Sequence, residues 1–101
     1  MVESNKNLPC SGQIVLDHVG WYVPNLDEVG KTFGRLGFRL TPYSLHGDRD
    51  PASGQLIPQG SANRLAILES GYLEFLALAE GAETPVTRHL RSRMEQYVGV
   101  H

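Results

Sequence analysis

The chain has 101 residues, of which 41% are hydrophobic, and this fits one globular domain with a modest core. Its formal net charge of −2 and its lack of a basic block argue against a nucleic-acid partner, and no apolar run has the length of a transmembrane helix. The single cysteine, Cys10, excludes an internal disulfide and a cysteine-only zinc site. The first residues contain no apolar signal segment, so we expect a cytoplasmic protein.

The first strand is predicted after a polar start. Residues 1–12 end in Ser-Gly and are interpreted as a flexible arm ahead of a domain at 13–101. Residues 14–23 read IVLDHVGWYV, and their β-branched and aromatic content predicts a strand. Because side chains alternate along a strand, His18 shares its less apolar face with a glycine and a tyrosine, which suits a lined cleft.

A helix is predicted to follow this strand. Asn25 with Glu28 three residues later makes a capping-box-like start, and Gly37 suits the position just after a helix end. Four apolar residues recur at helical spacing between these limits: Leu26, Val29, Phe33 and Leu36. The internal glycines, Gly30 and Gly34, each weaken a helix by about 1 kcal/mol relative to Ala. We therefore expect close packing of this helix on a sheet.

The middle of the chain is predicted to contain a strand and a long loop. Residues 38–44 have strand composition, and Pro42 marks an edge or bulged strand. Residues 45–61 are polar and rich in Gly, Pro and Asp, which predicts a long loop. Three side chains in this loop have the types found in metal clusters, but a solvated turn around Asp50-Pro51 is favoured. They are His46, Asp48 and Asp50.

The last part of the chain is predicted to contain two strands and a helix. Residues 62–69 and 72–79 form a hairpin across a Ser-Gly turn. Thr84-Pro85 is a suitable N-cap and first helical position for the final helix. Its predicted apolar stripe is Val86, Leu90, Met94 and Tyr97. Residues 98–101 return to β-like composition. The element order is β-α-β-β-β followed by a helix, which is an α+β fold.

Glu74 stands in the most apolar run of the sequence, residues 68–79. A desolvated carboxylate must be protonated, pair with a cation or bind a metal, and an ion pair with Arg64 is the simplest of these. If the first and fourth strands are neighbours, His18 and Glu74 come close on the face away from the helix. A neutral imidazole and a carboxylate suit zinc, iron, manganese or nickel, but further ligands or a second copy of the pair are needed. For His18 the alternative is a hydrogen bond to the backbone.

Other catalytic patterns are missing from the sequence. It has no G-x-S-x-G, P-loop or G-x-G-x-x-G motif, and Cys10 lies in the predicted arm. Four aromatic residues on or near the strands could line an apolar pocket, although aromatic residues on strands more often belong to the core. They are Trp21, Tyr22, Tyr43 and Tyr72.

Four short motifs over residues 14–79 occur together in a familiar order. They are the D-H-V-G start, the P-x-L-D helix entry, the L-G-F helix exit and Y-L-E-F-L in the fourth strand. This combination resembles the opening module of the glyoxalase-like proteins of the vicinal oxygen chelate superfamily. That superfamily includes glyoxalase I, extradiol dioxygenases, and bleomycin- and fosfomycin-resistance proteins.

The resemblance implies a βαβββ module curved around a cleft, with His18 and Glu74 as metal ligands and Glu74 also in the catalytic role. A divalent metal then acts as a Lewis acid on vicinal substrate oxygens. We expect a metal-dependent lyase, isomerase or dioxygenase-type enzyme acting on a small oxygenated molecule. The predicted substrate-binding residues are Tyr22, Asn63, Arg64 and Tyr72. Resistance proteins need no metal, so a non-catalytic small-molecule binding or sequestering protein is the alternative.

The resemblance also implies that this chain supplies only one half of the cleft. Family members build the cleft from two modules, and this chain resembles one. We therefore expect a homodimer in which two copies of His18 and Glu74 complete a four-ligand site across a two-fold axis. The final V-G-V-H resembles the start of a second module with His101 at its entrance. Two alternatives therefore stay open, namely that the chain is a fragment of a two-module protein or that it is an inactive half-domain.

Overall fold

The computed structural model describes residues 8–81, 83–96 and 99–100. The elements in chain order are β1 (His18–Tyr22), α1 (Leu26–Arg35), β2 (Ser44–Arg49), β3 (Leu56–Ile67), β4 (Tyr72–Leu78), α2 (Pro85–Gln96) and β5 (Gly99–Val100). These five strands form one sheet in the order β2-β3-β4-β1-β5, in which β1 and β4 are parallel and the other neighbours antiparallel. The predicted α+β module with a C-terminal helix is confirmed.

The strand register defines two faces of this sheet, because directly paired residues on neighbouring strands project to the same side. His18 pairs with Tyr72, and Asn63 of β3 pairs with Leu76. We call the side that carries these residues the cleft face. It includes His18, Gly20 and Tyr22 of β1, Tyr72, Glu74, Leu76 and Leu78 of β4, and Ser61, Asn63, Leu65 and Ile67 of β3. The opposite side is the helix face.

The core lies between α1 and the helix face. Its buried cluster is Leu26, Val29, Ala62, Ala66, Phe75 and Ala77. Phe75 is 1% exposed, and its ring centroid lies 5.5 Å from that of Trp21 and 4.7 Å from that of Phe33. This packing confirms that the apolar stripe of α1 covers the Trp21 side of β1 and leaves the His18 side uncovered by α1.

The predicted ends of α1 are confirmed. Asn25 Oδ1 accepts hydrogen bonds from the backbone N–H groups of Asp27 and Glu28, at 2.8 and 3.1 Å. Gly37 follows the helix with φ of 97°, a conformation that glycine adopts without strain. The inclusion of Leu36 in the apolar stripe is wrong, because its side chain is 66% exposed. It is the C-cap residue and follows the last residue of the helix, Arg35.

The start of α2 is also confirmed. The backbone N–H of Thr84 donates to Thr87 Oγ1 at 2.9 Å, and the N–H of Thr87 donates back to Thr84 Oγ1 at 3.3 Å. The buried residues of α2 are Thr87 and Leu90, whereas Val86 is 38% exposed and not part of the buried stripe. Tyr97 and His101 lie outside the described residues. In the described ranges, neither helix has the length and apolar character needed to span a membrane.

Two predicted boundaries are wrong. The first strand begins at His18 rather than at residue 14, and Ile14 is fully exposed. The second strand is β2, Ser44–Arg49, and not residues 38–44, of which only Leu40 makes an isolated bridge before β2. Most of residues 45–61 therefore belong to the hairpin that β2 and β3 form, and not to a loop. β2 lies at the edge of the sheet and pairs with β3 alone, so a polar segment can form this strand.

The tip of this hairpin contains the predicted solvated turn. The backbone N–H of Asp50 donates to Gln55 O. The Asp50 carboxylate accepts from Ser53 Oγ at 2.6 Å and from the backbone N–H of Ala52 at 3.3 Å, and these hydrogen bonds to the carboxylate lower its pKa. The other two residues whose types suggested a metal cluster with Asp50 have separate partners. His46 Nδ1 lies 2.8 Å from Ser61 Oγ, and Asp48 accepts from the amide of Gln59.

Candidate metal and substrate site on the cleft face

The structure brings His18 and Glu74 together on the cleft face. Parallel pairing sets His18 opposite Tyr72 and Gly20 opposite Glu74. His18 Nε2 lies 3.6 Å from Glu74 Oε1, and the two side chains are 38% and 17% exposed. The sequence predicts this contact only if β1 and β4 are neighbours, and that pairing is confirmed. The carboxylate of Glu74 is largely withdrawn from water.

Each of these side chains has a second polar partner on its far side. His18 Nδ1 lies 2.9 Å from Asp17 Oδ2, and the Asn63 amide donates to Glu74 Oε2 at 2.8 Å. An ionised carboxylate can only accept a hydrogen bond, so the contact with Asp17 places a proton on Nδ1. In the neutral ring Nε2 then carries a lone pair, and it faces a carboxylate oxygen. Two acceptors in this position repel each other, and a cation between them would remove that repulsion.

Sequence reasoning did not find Asp17. Alternation along a strand beginning at residue 14 puts Asp17 and His18 on opposite faces. Because β1 begins at His18, Asp17 precedes the strand and is not bound by that alternation. The signal available in the sequence was the acidic residue directly before the histidine.

Tyr72 packs flat against the imidazole of His18. The ring centroids lie 4.6 Å apart and the planes are inclined by 4°. Burial raises the pKa of the Tyr72 hydroxyl, and the negative charges of Asp17 and Glu74 raise it further. The tyrosine thus stays neutral at physiological pH and offers the site an aromatic face.

A surface cleft of about 480 Å³ adjoins Asn63. Its lining residues are Thr41, Pro42, Tyr43, Ser44, Asn63 and Leu65. Asn63 contacts this cleft and also donates to Glu74, so it joins the space for a small molecule to the candidate metal ligands. Tyr22 lies on the same face, two residues beyond Gly20.

Arg64 is not brought to this site. It pairs with Phe75 across β3 and β4 and therefore lies on the helix face. Its Nε donates to Thr41 O at 2.9 Å, and its guanidinium fills the space that a Cβ on Gly30 would need. The alternative of an Arg64–Glu74 ion pair is wrong, because the sheet separates the two side chains.

Residues 16–101 match the glyoxalase-like domain family. This chain belongs to that family. The match confirms the resemblance to the vicinal oxygen chelate superfamily over a single module, and it includes both His18 and Glu74. A comparison with curated proteins found no match to the chain.

Glyoxalase-like proteins often bind divalent metals, and an imidazole nitrogen and a carboxylate oxygen are donor types that such metals take. Metal–nitrogen and metal–oxygen bonds of about 2.0–2.2 Å separate two adjacent ligand atoms by roughly 3.0–3.5 Å. The 3.6 Å between His18 Nε2 and Glu74 Oε1 is close to this range. Within the described residues no group of three or more side chains is placed to hold a metal ion, so a complete metal site would need ligands from outside these residues.

Proposed function

We propose that this glyoxalase-like chain binds a divalent metal ion, such as zinc, iron, manganese or nickel, between His18 and Glu74. We further propose that it acts as a lyase, isomerase or dioxygenase-type enzyme on a small oxygenated molecule. The supporting observation is the pair of facing acceptors, His18 Nε2 and Glu74 Oε1, 3.6 Å apart. Their outer atoms are already engaged by Asp17 and Asn63, as is common for metal ligands.

The bound metal would supply Lewis-acid polarisation of substrate oxygens. The catalytic role is assigned to Glu74, because a carboxylate held by Asn63 in a partly desolvated position can accept and return a proton. Asn63, Tyr22 and Tyr72 are the residues proposed to contact substrate. The 480 Å³ cleft beside Asn63 is lined by uncharged side chains, which favours a neutral molecule that combines oxygen atoms with an apolar part.

The rest of the site is assigned to a second copy of this chain. One chain contributes two candidate ligands, and a two-fold axis through the cleft would repeat the pair and give four. An isologous dimer needs no further protein to complete the set. This arrangement predicts one metal ion per pair of chains, which separates it from a site built within a single chain.

Metal titration of purified protein tests the proposal. We expect saturable zinc or nickel binding by calorimetry, abolished by His18→Ala and by Glu74→Gln. Matched controls are His89→Ala and Glu28→Gln, which remove an exposed histidine of α2 and an exposed acid of α1. Absence of binding, or equal binding by the site variants and the wild type, would contradict the proposal.

A second candidate function is metal-free binding or sequestration of a small molecule. The observation that favours it is the uncharged cleft beside Asn63, which lies next to the candidate ligands but does not include them. Ligand binding that survives both a chelator and His18→Ala, in a protein that takes up no metal, would establish this function instead. A folded protein that binds neither metal nor small molecules would indicate an inactive half-domain.

A further inference from the structure

We propose that Asp17 and Tyr72 are positioning residues that fix the imidazole of His18 in one orientation and one tautomer before anything binds. Asp17 sets the proton on Nδ1, and Tyr72 sets the plane of the ring. The consequence for metal binding rests on the proposed function, whereas the positioning itself belongs to the metal-free chain.

The tautomer follows from the contact with Asp17. A neutral imidazole carries one proton, and the ring nitrogen beside an ionised carboxylate is the one that keeps it. The Asp17 Oδ2 to His18 Nδ1 distance of 2.9 Å is a full hydrogen bond. Nε2 is then the bare nitrogen, and it points at Glu74 Oε1. The ring therefore presents a lone pair where a ligand atom is needed.

The ring plane follows from Tyr72. With centroids 4.6 Å apart and planes 4° from parallel, rotation of the imidazole about its Cβ–Cγ bond would break the stack. A ring turned by half a circle would put carbon atoms where Nδ1 and Nε2 now lie. Tyr72 and Asp17 thus restrict different motions of the same side chain.

The backbone ties these two residues together. The N–H of Tyr72 donates to the carbonyl oxygen of Asp17 at 3.2 Å. Gly71, with φ of 78°, lets the chains approach, since a Cβ at this position would overlap that carbonyl oxygen. Asp17 and Tyr72 are 55 positions apart in sequence, so the turn before β4 is what sets them around His18.

The opposite tautomer would close the site. An N–H on Nε2 would donate towards Glu74 Oε1, and the two candidate ligands would then bind one another. A metal would have to displace that proton and turn the ring. Preorganisation by Asp17 removes this step, and loss of such an outer partner lowers metal affinity by about 10–100-fold.

Nitrogen-15 NMR of the histidine rings in metal-free protein tests the tautomer directly. Spectra are recorded where the His18 ring is neutral, and His18 is assigned by comparison with His18→Ala. We expect the Nδ1–H form in the wild type. Asp17→Asn can present an N–H to Nδ1 and should shift the ring to the Nε2–H form, the outcome known for an Asp→Asn change beside a catalytic histidine. Asp27→Asn, an exposed control in the first turn of α1, should leave the spectrum unchanged.

Tyr72 is tested with a matched pair of variants. Tyr72→Phe keeps the stacked ring and should preserve the wild-type signals, whereas Tyr72→Leu removes it and should broaden or move them. Retained amide dispersion in each variant shows that the fold is intact. A wild-type ring mainly in the Nε2–H form, or an unchanged tautomer in Asp17→Asn, would overturn the assignment to Asp17. Equal spectra for the two Tyr72 variants would overturn the role of the stack.

Zinc titration of the same variants separates this inference from the proposed function. Where the wild type binds zinc, Asp17→Asn should bind about 10–100-fold more weakly and Asp27→Asn equally well. If no variant binds zinc but the tautomer responds as expected, the metal proposal fails and the positioning role stands. If zinc binds but the tautomer is insensitive to Asp17, the positioning role fails alone.

Discussion

Asn63→Ala is the most informative single change on the cleft face. It removes the amide that donates to Glu74 Oε2 at 2.8 Å and leaves a carboxylate that is 17% exposed. Hydrogen bonds to charged groups contribute about 1.5–3 kcal/mol. Because water can reach part of Glu74, we expect a loss in the lower part of this range, about 1.5–2 kcal/mol. For a domain of this size each 1 kcal/mol corresponds to about 4–8 °C in Tm.

Urea denaturation measures this loss, since Trp21 is the single tryptophan and stacks on Phe75 in the core. Gln59→Ala is the matched control. It removes another side-chain amide of β3 that donates to a carboxylate, but that bond is 3.3 Å long and exposed. The control should change the free energy of unfolding by less than about 0.5 kcal/mol. If Asn63→Ala also falls within 0.5 kcal/mol of wild type, the carboxylate of Glu74 is not held as described.

Three further changes test the packing and the charges. Gly34→Ala should stabilise α1 by up to about 1 kcal/mol because the new methyl would meet no atom within 4 Å outside the adjoining helix backbone. Gly30→Ala should gain less or lose stability, since its methyl must displace the guanidinium of Arg64, and chemical denaturation of the pair checks this. Phe75→Ala should cost about 3–5 kcal/mol in the same assay, and a cost below 1 kcal/mol would contradict the core. Glu83→Gln should lower Tm at pH 7, with the difference fading on acidification. The hydrogen bond from an arginine of α2 lowers the pKa of Glu83 in the folded protein. The contribution of the ionised Glu83 carboxylate to stability is therefore present above the unfolded pKa of about 4.3 and is lost as pH falls through the folded pKa. A Tm difference independent of pH would contradict that pairing.

The sequence predicted the pair at the centre of the site because strand alternation is a strong local rule. His18 and Glu74 each lie within a strand whose apolar residues identify the covered side. Once β1 and β4 are neighbours, both side chains must lie on the cleft face. Alternation also places Arg64 on the other face, since it is one residue from Asn63 on β3, and this outweighs the charge complementarity that suggests an Arg64–Glu74 ion pair.

Other features could not be predicted because they depend on partners distant in sequence. Residues 14–17 have strand composition but lie before β1 and outside its strand register, whereas the polar β2 becomes a strand because β3 lies beside it. Strand propensity reports the fit to neighbours more than an intrinsic preference. The exposure of Leu36 likewise follows from where the chain leaves α1. The partnership of Asp17 with His18 depends on the true start of β1.

Native mass spectrometry of the purified chain after addition of zinc tests the central claim most directly. The shared-site proposal predicts a dominant species with the mass of two chains and one metal ion. His18→Ala and Glu74→Gln should remove the metal, and His89→Ala should not. A metal-free monomer, or a metal-bound species that is unchanged by the two site variants, would contradict the proposal that two copies of His18 and Glu74 form the site.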